Sequence, residues 1–504
     1  MAVNQLKIGI VLNYVIIALN GLVGIVYTPF MLRMLGQSEY GLYSLAASVI
    51  AYLSILDLGF GNAVIRYTAK YRAEGKVEEQ HVLFGMFTMI YSVLGLLVVI
   101  GGIYLTSQID TMFAARMTTT ELARMKPIMM LMTFNLAITF PLSIYGAIIT
   151  AYERFVFLRV VQIIRIILNM FVMICLLTMG YKALALVVVQ TIFNVSTLLL
   201  NFCYAKKKIH VKLTFKKFDY TLLREIVIYS FWVFLNVIMD RIYWSTGQFV
   251  LGITYGTVAV AVFAVAIQLE NIYMTFSTAI SGVFLPKITA MVSTGKSNQE
   301  LSNLFISTGR IQYLILSFIL TGFIVFGQSF INVWAGDGYE DAYIITLLFM
   351  ISLIIPLIQN IGISILQARN QMKFRSLLYV IIAAISLVFQ IPMAEHFGPI
   401  GCAITIAGAL FLGHGIIMNV YYHCIQKIDI IEFWKEIARM SIVPICMAVV
   451  SCYVTSFFVI DSIVILVISI VAYSCIYIPL LYKFSMNSYE KNFILNAIKK
   501  ITKK

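Results

Sequence analysis

The feature that most constrains this chain is a recurring apolar run of about 20 residues, the length a helix needs to cross the hydrocarbon core of a bilayer. Fourteen such runs begin at about Ile8, Gly41, Val82, Ile128, Leu158, Ala183, Ile226, Thr257, Phe305, Ala342, Leu377, Ile400, Ile442 and Ser462. No connection is long enough for a soluble domain; the longest extend from about Ser107 to Lys126 and from Lys206 to Arg224. With 61% hydrophobic and 12% charged residues, the chain has too few charges to coat soluble domains and too much apolar material to stay disordered. Backbone polar groups in lipid must be satisfied within each segment, so the expected class is an all-α polytopic membrane protein with about 14 transmembrane helices.

Charge fixes the expected orientation. Lys+Arg number 36 against 22 Asp+Glu, a formal net charge of +14. If both termini are cytoplasmic, 29 of the 36 basic residues fall in inner loops and five in outer ones: Arg33, Arg116, Arg124, Lys126 and Lys182. This is the positive-inside bias of a multi-pass protein, with some attraction for anionic membrane lipids, and it removes nucleic acid as the reason for the basicity. The run from Lys7 to about Leu32 has no small-residue cleavage site and is too long for a signal-peptide core, so it is expected to remain as the first span. The seven cysteines lie in or at the ends of apolar runs, with no C-x-x-C pair, and read as small buried hydrophobes, neither disulfide framework nor metal site.

The sequence repeats weakly at an offset of about 216 residues. Leu35-Gly36 and Tyr40-Gly41 return as Leu251-Gly252 and Tyr255-Gly256, and Tyr43-Ser44-Leu45-Ala46 is echoed by Phe263-Ala264-Val265-Ala266. Pro141-Leu142, Gly146 and Arg159 are matched by Pro356-Leu357, Gly362 and Arg375. Two pseudo-symmetric six-helix lobes of like topology follow, an arrangement known in transporters. The expected organisation is an N-terminal lobe over 1–205, a basic inner loop and C-terminal lobe over 206–424, and two accessory spans with a basic cytoplasmic tail over 425–504.

Polar side chains inside spans are costly unless they face protein or water. Spans 1 to 12 carry many, including Asn13, Asn20, Asp57, Asn135, Arg165, Gln190, Asn194, Asp240, Arg241, Glu270, Gln312, Gln359 and His414. Spans 13 and 14 carry no Asn, Gln or charge, which makes them peripheral. Isolated Asn and Gln are accounted for by interhelical hydrogen bonds. For the charges two readings stand. Buried structural pairs such as Asp57 with Arg165 explain them; alternatively, Arg165 and Arg241, joined at the span margins by Arg33 and Arg66, give positive potential to an anionic substrate. In the second reading Asp57, Asp240, Glu270 or His414 takes up a coupling ion. There is no G-x-x-x-x-G-K-[ST], H-E-x-x-H or G-x-S-x-G, so no catalytic residue and no metal site is expected. The acidic loop Asp337 to Asp341 reads as a solvated turn.

The stretch Leu35-Gly36-Gln37-Ser38-Glu39-Tyr40-Gly41-Leu42-Tyr43, then Leu56-Asp57-Leu58-Gly59-Phe60-Gly61 and Arg66, and Ala151-Tyr152-Glu153-Arg154-Phe155 resemble the bacterial O-antigen and polysaccharide flippases of the multidrug/oligosaccharidyl-lipid/polysaccharide exporter superfamily. The specific motifs lie mostly in the first 160 residues, and the span number and repeat extend the resemblance along the chain. It implies movement of an undecaprenyl-diphosphate-linked oligosaccharide across the bacterial cytoplasmic membrane by alternating access, without a cofactor and coupled to a proton or sodium gradient. Other glycan-assembly membrane proteins are the further partners it implies. A multidrug or small-molecule antiporter of the same superfamily, whose members usually have twelve spans, and a polysaccharide polymerase or ligase remain the alternatives.

Overall fold

In a computed structural model, residues 5–215, 220–492 and 495 are described; Lys216 and Lys217 of the inner loop, and most of the basic tail beyond 492, lie outside them. No strand occurs among the described residues, and twelve of their helices are long and apolar enough to cross a membrane. In chain order the spans are α1 (Ile8–Leu35), α2 (Gln37–Ala73), α3 (Val77–Ser107), α4 (Thr119–Ala151), α5 (Phe155–Thr178) and α6 (Ala183–Ile209). Then come α7 (Tyr220–Trp244), α8 (Thr257–Ser293), α9 (Asn298–Trp334) and α10 (Asp341–Ile358). One helical stretch of 52 residues, Lys373–Cys424, is interrupted by a non-helical Gly398 (φ 58°, ψ −141°) and supplies two spans, α11 over 373–397 and α12 over 399–424. The last are α13 (Ile430–Thr455) and α14 (Ile463–Leu480). Counting α7 and dividing that long stretch recovers the fourteen expected spans.

The helices end where local chemistry stops them. Gly36, at φ 79°, closes α1, and reciprocal capping boxes of Thr118 with Glu121 and Ser297 with Glu300 open α4 and α9. Two compact units are present, Met1–Ala264 and Val265–Lys504, divided within α8. The first has a core of Phe60, Phe84, Phe87, Tyr91, Phe140 and Ile148 where α2, α3 and α4 meet. Lipid is as apolar as such a core, so burial alone does not drive these helices together and close packing and hydrogen bonds must do so. The cysteines show the same inversion. All seven are free, but only Cys402 is buried, and the other six lie on exposed helix surface. The expectation that they are buried therefore fails, because an apolar side chain in a span gains nothing by facing protein in preference to lipid.

In the second unit, α13 and α14 are peripheral in the sense that little of either is covered, yet both are fastened to one face of α9. Arg310, Tyr313, Ser317 and Thr321 lie three, four and four residues apart, along one side of that helix. Tyr313 meets Ser441 of α13 at 2.5 Å, Ser317 meets Tyr477 of α14 at 3.2 Å, and the Tyr473 hydroxyl donates to Thr321 Oγ1 at 2.7 Å. At the inner end Arg310 is 5% exposed in its side chain and bonds Glu490 through Nε (2.5 Å) and Nη2 (3.0 Å), Glu436 through Nη1, and the Ser485 carbonyl. Glu490 also caps the segment that carries it, accepting from Asn487 N–H at 2.9 Å.

Candidate functional site

The motif residues at the outer end of the first unit form a scaffold. Ser38 Oγ donates to Glu121 at 2.6 Å, and Thr257 Oγ1 donates to the same carboxylate at 2.7 Å. Glu39 pairs with Arg124 and accepts the Ala183 N–H at 3.2 Å, capping α6. A Cβ on Gly41 would collide with the Thr257 carbonyl, so only glycine permits this approach of α2 to the start of α8. The Ser38, Glu39 and Gly41 positions of the motif thus join helix ends.

The inner motif does something different. Span α2 is not one helix: a 3-10 turn at Ser54–Asp57 is followed by Leu58 (φ 53°) and Gly59 (φ 71°) in the left-handed region, and an α-helix resumes at Phe60. The half-buried Asp57 accepts the Tyr91 hydroxyl at 3.0 Å and a hydrogen bond from the backbone of Gly59, so the carboxylate holds the break it sits in. Helix α7 packs against this break, and Tyr52 meets Thr246 just beyond it at 2.5 Å. Broken spans of this kind supply the ligand-facing backbone of many transporters.

The eight candidate residues are placed unevenly. Arg33 and Arg66 are exposed, Arg33 in the last turn of α1 and Arg66 on the second half of α2. Arg165 is half-buried in α5 and Arg241 half-buried in the last turn of α7, and among the described residues neither forms an ion pair within 4.0 Å. The Nε of Arg241 is buried without a hydrogen-bond partner. The expected pairing of Asp57 with Arg165 is not formed; Tyr91 takes the place of the arginine. Asp240 is exposed, whereas Glu270 in α8 is completely buried. All four arginines, with Asp57 and Asp240, belong to the first unit; Glu270 and His414 belong to the second.

His414 sits on a π-helical stretch, Phe411–Ile417, within α12. Its Nδ1 lies 2.6 Å from the Tyr379 hydroxyl of α11, and the Arg375 guanidinium stacks over the Tyr379 ring at 4.4 Å. The carbonyls of His414 and Gly415 are taken by Asn419 Nδ2 at 2.8 and 3.0 Å. Asn419 Oδ1 in turn accepts Gln359 of the α10 end (2.8 Å) and Trp434 of α13 (2.9 Å). Sequence reasoning singled out His414 and missed Arg375 and Tyr379 as its neighbours. Their spacing of four residues places them on one face of α11, the only signal available.

Several uncharged residues do join helices. Asn194 Nδ2 bonds Asn135 Oδ1 and Thr139 Oγ1 at 2.7 and 2.8 Å, and Gln190 Nε2 bonds the Tyr43 hydroxyl at 2.9 Å. The acidic turn is self-contained: Gly338 N–H donates to Glu340 at 3.0 Å and holds its carboxyl below the usual range.

Comparison with known proteins agrees with this architecture. Residues 6–292 match the family described as Polysaccharide biosynthesis protein. An uncharacterized membrane protein of Bacillus subtilis (strain 168), EpsK, is 21% identical over 432 residues, covering 84% of this chain and 83% of that protein. Among solved structures, the lipid II flippase MurJ in an inward closed conformation superposes with a TM-score of 0.69 at 15% identity, covering 95% of this chain and 99% of that one. An inward-facing MATE family multidrug resistance transporter of the MOP superfamily gives 0.57 at 13% identity, with 80% and 98% covered. These likenesses establish a common fold, and the sequence match, over more than half the chain, establishes descent: this multi-pass membrane protein belongs to the polysaccharide biosynthesis protein family.

Proposed function

We propose that this chain is a transporter and not an enzyme, a flippase that moves an undecaprenyl-diphosphate-linked oligosaccharide from the inner to the outer leaflet of the bacterial cytoplasmic membrane. The observation that carries the reading is the pair of half-buried arginines, Arg165 and Arg241, held in membrane helices with no ion-paired carboxylate among the described residues. A guanidinium in a span is costly unless something anionic compensates it, and its planar fork suits a diphosphate. Family membership and the fold shared with a lipid II flippase support a lipid-linked glycan as the class of substrate. In this reading both termini are cytoplasmic, the mechanism is alternating access, and a proton or sodium gradient drives it.

The test is reconstitution into vesicles with a labelled lipid-linked oligosaccharide, scoring its appearance in the opposite leaflet. Arg165→Ala and Arg241→Ala are expected to abolish flipping at unchanged membrane protein levels. Loss of the protein itself would favour a structural role for the arginines. Drug efflux without glycan transport would replace the flippase with a multidrug antiporter, the activity of the MATE structure that shares the fold.

A further inference from the structure

A buried irregularity in the second unit is the point where span α10 ends inside protein. The helix stops at Ile358, Gln359 takes a non-helical conformation (φ −105°, ψ 12°), and a new helix, Asn360–Ala368, begins at once. A helix terminus leaves its last carbonyls without intrahelical partners and carries about half a negative charge. In water this costs little; here the surroundings are buried. Gln359 is 3% exposed, Ile358 1% and Ile361 0%.

Three other elements close on this terminus. From α8, the fully buried Ser277 donates its hydroxyl to the Leu357 carbonyl at 2.7 Å. Ser277 Oγ in turn accepts from Gln312 Nε2 of α9 at 3.0 Å and Asn360 Nδ2 at 3.4 Å. The nitrogen side of the Gln312 amide is thereby committed to Ser277, and its Oε1, in a residue 0% exposed, has no hydrogen-bond partner among the described residues. One turn earlier on the same face of α9, the hydroxyl of Thr308, 1% exposed, has none either. Between them lies Gly309, where a Cβ would stand 2.6 Å from the Ile358 carbonyl oxygen. The glycine admits the terminal carbonyl of α10, together with the edge of the Phe433 ring from α13, to the surface of α9 between the positions of Thr308 and Gln312.

A buried amide oxygen left unsatisfied costs about 1–3 kcal/mol. An assembly of carbonyl, amide and hydroxyl oxygens at the negative end of a half-helix is a ligand set for a hard monovalent cation, and unwound carbonyls with half-helix C-termini hold sodium in other transporter folds. We infer that Gln312 Oε1, Thr308 Oγ1 and the Ile358 carbonyl form a sodium site at the end of α10, with Ser277 and Asn360 orienting Gln312 and the terminus. The inference deepens the ion-coupled reading above by naming the ion and its place. It also shifts attention from the carboxylates and histidine first considered to uncharged residues.

The experiment needs no glycan, so it can fail independently of the flippase reading. Thermal unfolding of the purified full chain in detergent is followed in sodium chloride and in choline chloride at equal ionic strength. Sodium is expected to raise the midpoint by about 2–4 °C at saturation. The rise should vanish in Gln312→Leu and Thr308→Val, and persist in His414→Ala. Equal midpoints of the wild-type chain in the two salts would overturn the proposal, and so would a sodium response that survives both α9 substitutions. Should a variant fail to fold, the milder Gln312→Met and Thr308→Ala take its place in the same comparison.

Discussion

Arg310 and Glu490 stand 180 residues apart in sequence and meet through two parallel hydrogen bonds of 2.5 and 3.0 Å, their side chains 5% and 1% exposed. The pair joins the ninth span to the segment after the fourteenth, and Glu436 of the thirteenth, itself balanced by Arg439, bonds the remaining side of the guanidinium. A buried pair gains little over an apolar substitute, but half of one is costly, because the remaining charge is stranded. Arg310→Met or Glu490→Gln alone is therefore expected to destabilise the chain by about 3–5 kcal/mol. Combining Arg310→Met with Glu436→Gln and Glu490→Gln should restore most of the loss. Thermal unfolding in detergent measures both.

The hydroxyl ladder above this pair contributes much less. Interhelical hydrogen bonds in membranes average about 0.6 kcal/mol, since the separated helices find other partners. Tyr473→Phe and Tyr477→Phe are expected to move the unfolding midpoint only slightly, singly or together. A large fall in either would mean that α14 is held by its hydroxyls more than by Arg310.

At the outer end of the first unit, Gly41→Ala places a methyl group against the Thr257 carbonyl. Backbone cannot yield as a side chain does, so the cost is expected at the upper part of the about 1–3 kcal/mol typical of overpacking. The measurement is the folded yield and unfolding midpoint of Gly41→Ala beside those of Gly21→Ala, where the added Cβ meets nothing within 4 Å.

Asp57 and Tyr91 separate fold from function. Tyr91→Phe removes a hydrogen bond to a carboxylate, about 1.5–3 kcal/mol, and should lower stability while flipping persists. If Asp57 takes up a coupling proton, Asp57→Asn keeps the shape of the break and should remove the dependence of flipping on an imposed pH gradient. Gradient-driven flipping at the wild-type rate in Asp57→Asn would exclude this carboxylate from coupling.

The fold was legible because the bilayer imposes one length on every span and one sign on most inner loops. The break in α2 was foreshadowed by Asp57-Leu58-Gly59, an acidic residue beside a glycine in an otherwise apolar run. Arg310 was not legible. Counted among the inner loops, it looked like a topology charge, and its partners lie 126 and 180 residues further on. Tyr473 and Tyr477 looked apolar because a tyrosine within a span is mostly ring, and only the facing helix reveals what its hydroxyl does. The polar residues of α8 to α10 could be counted in the sequence, but which of their atoms stay unsatisfied depends on the register of three helices.

The clamp on the last two spans also orders the birth of the molecule. Ribosomes deliver α9 to the membrane while Glu436 and Glu490 do not yet exist, so Arg310 enters lipid with no partner from its own C-terminal side. Thirteen residues into the helix, it can stretch its side chain to the inner headgroups and wait there. Only when translation has passed Glu490 can the guanidinium exchange phosphate and water for two carboxylates. Closure of the second unit is thus a post-insertion event, set by the synthesis of Glu490, and a nascent chain stopped after α12 would carry an arginine still anchored to lipid.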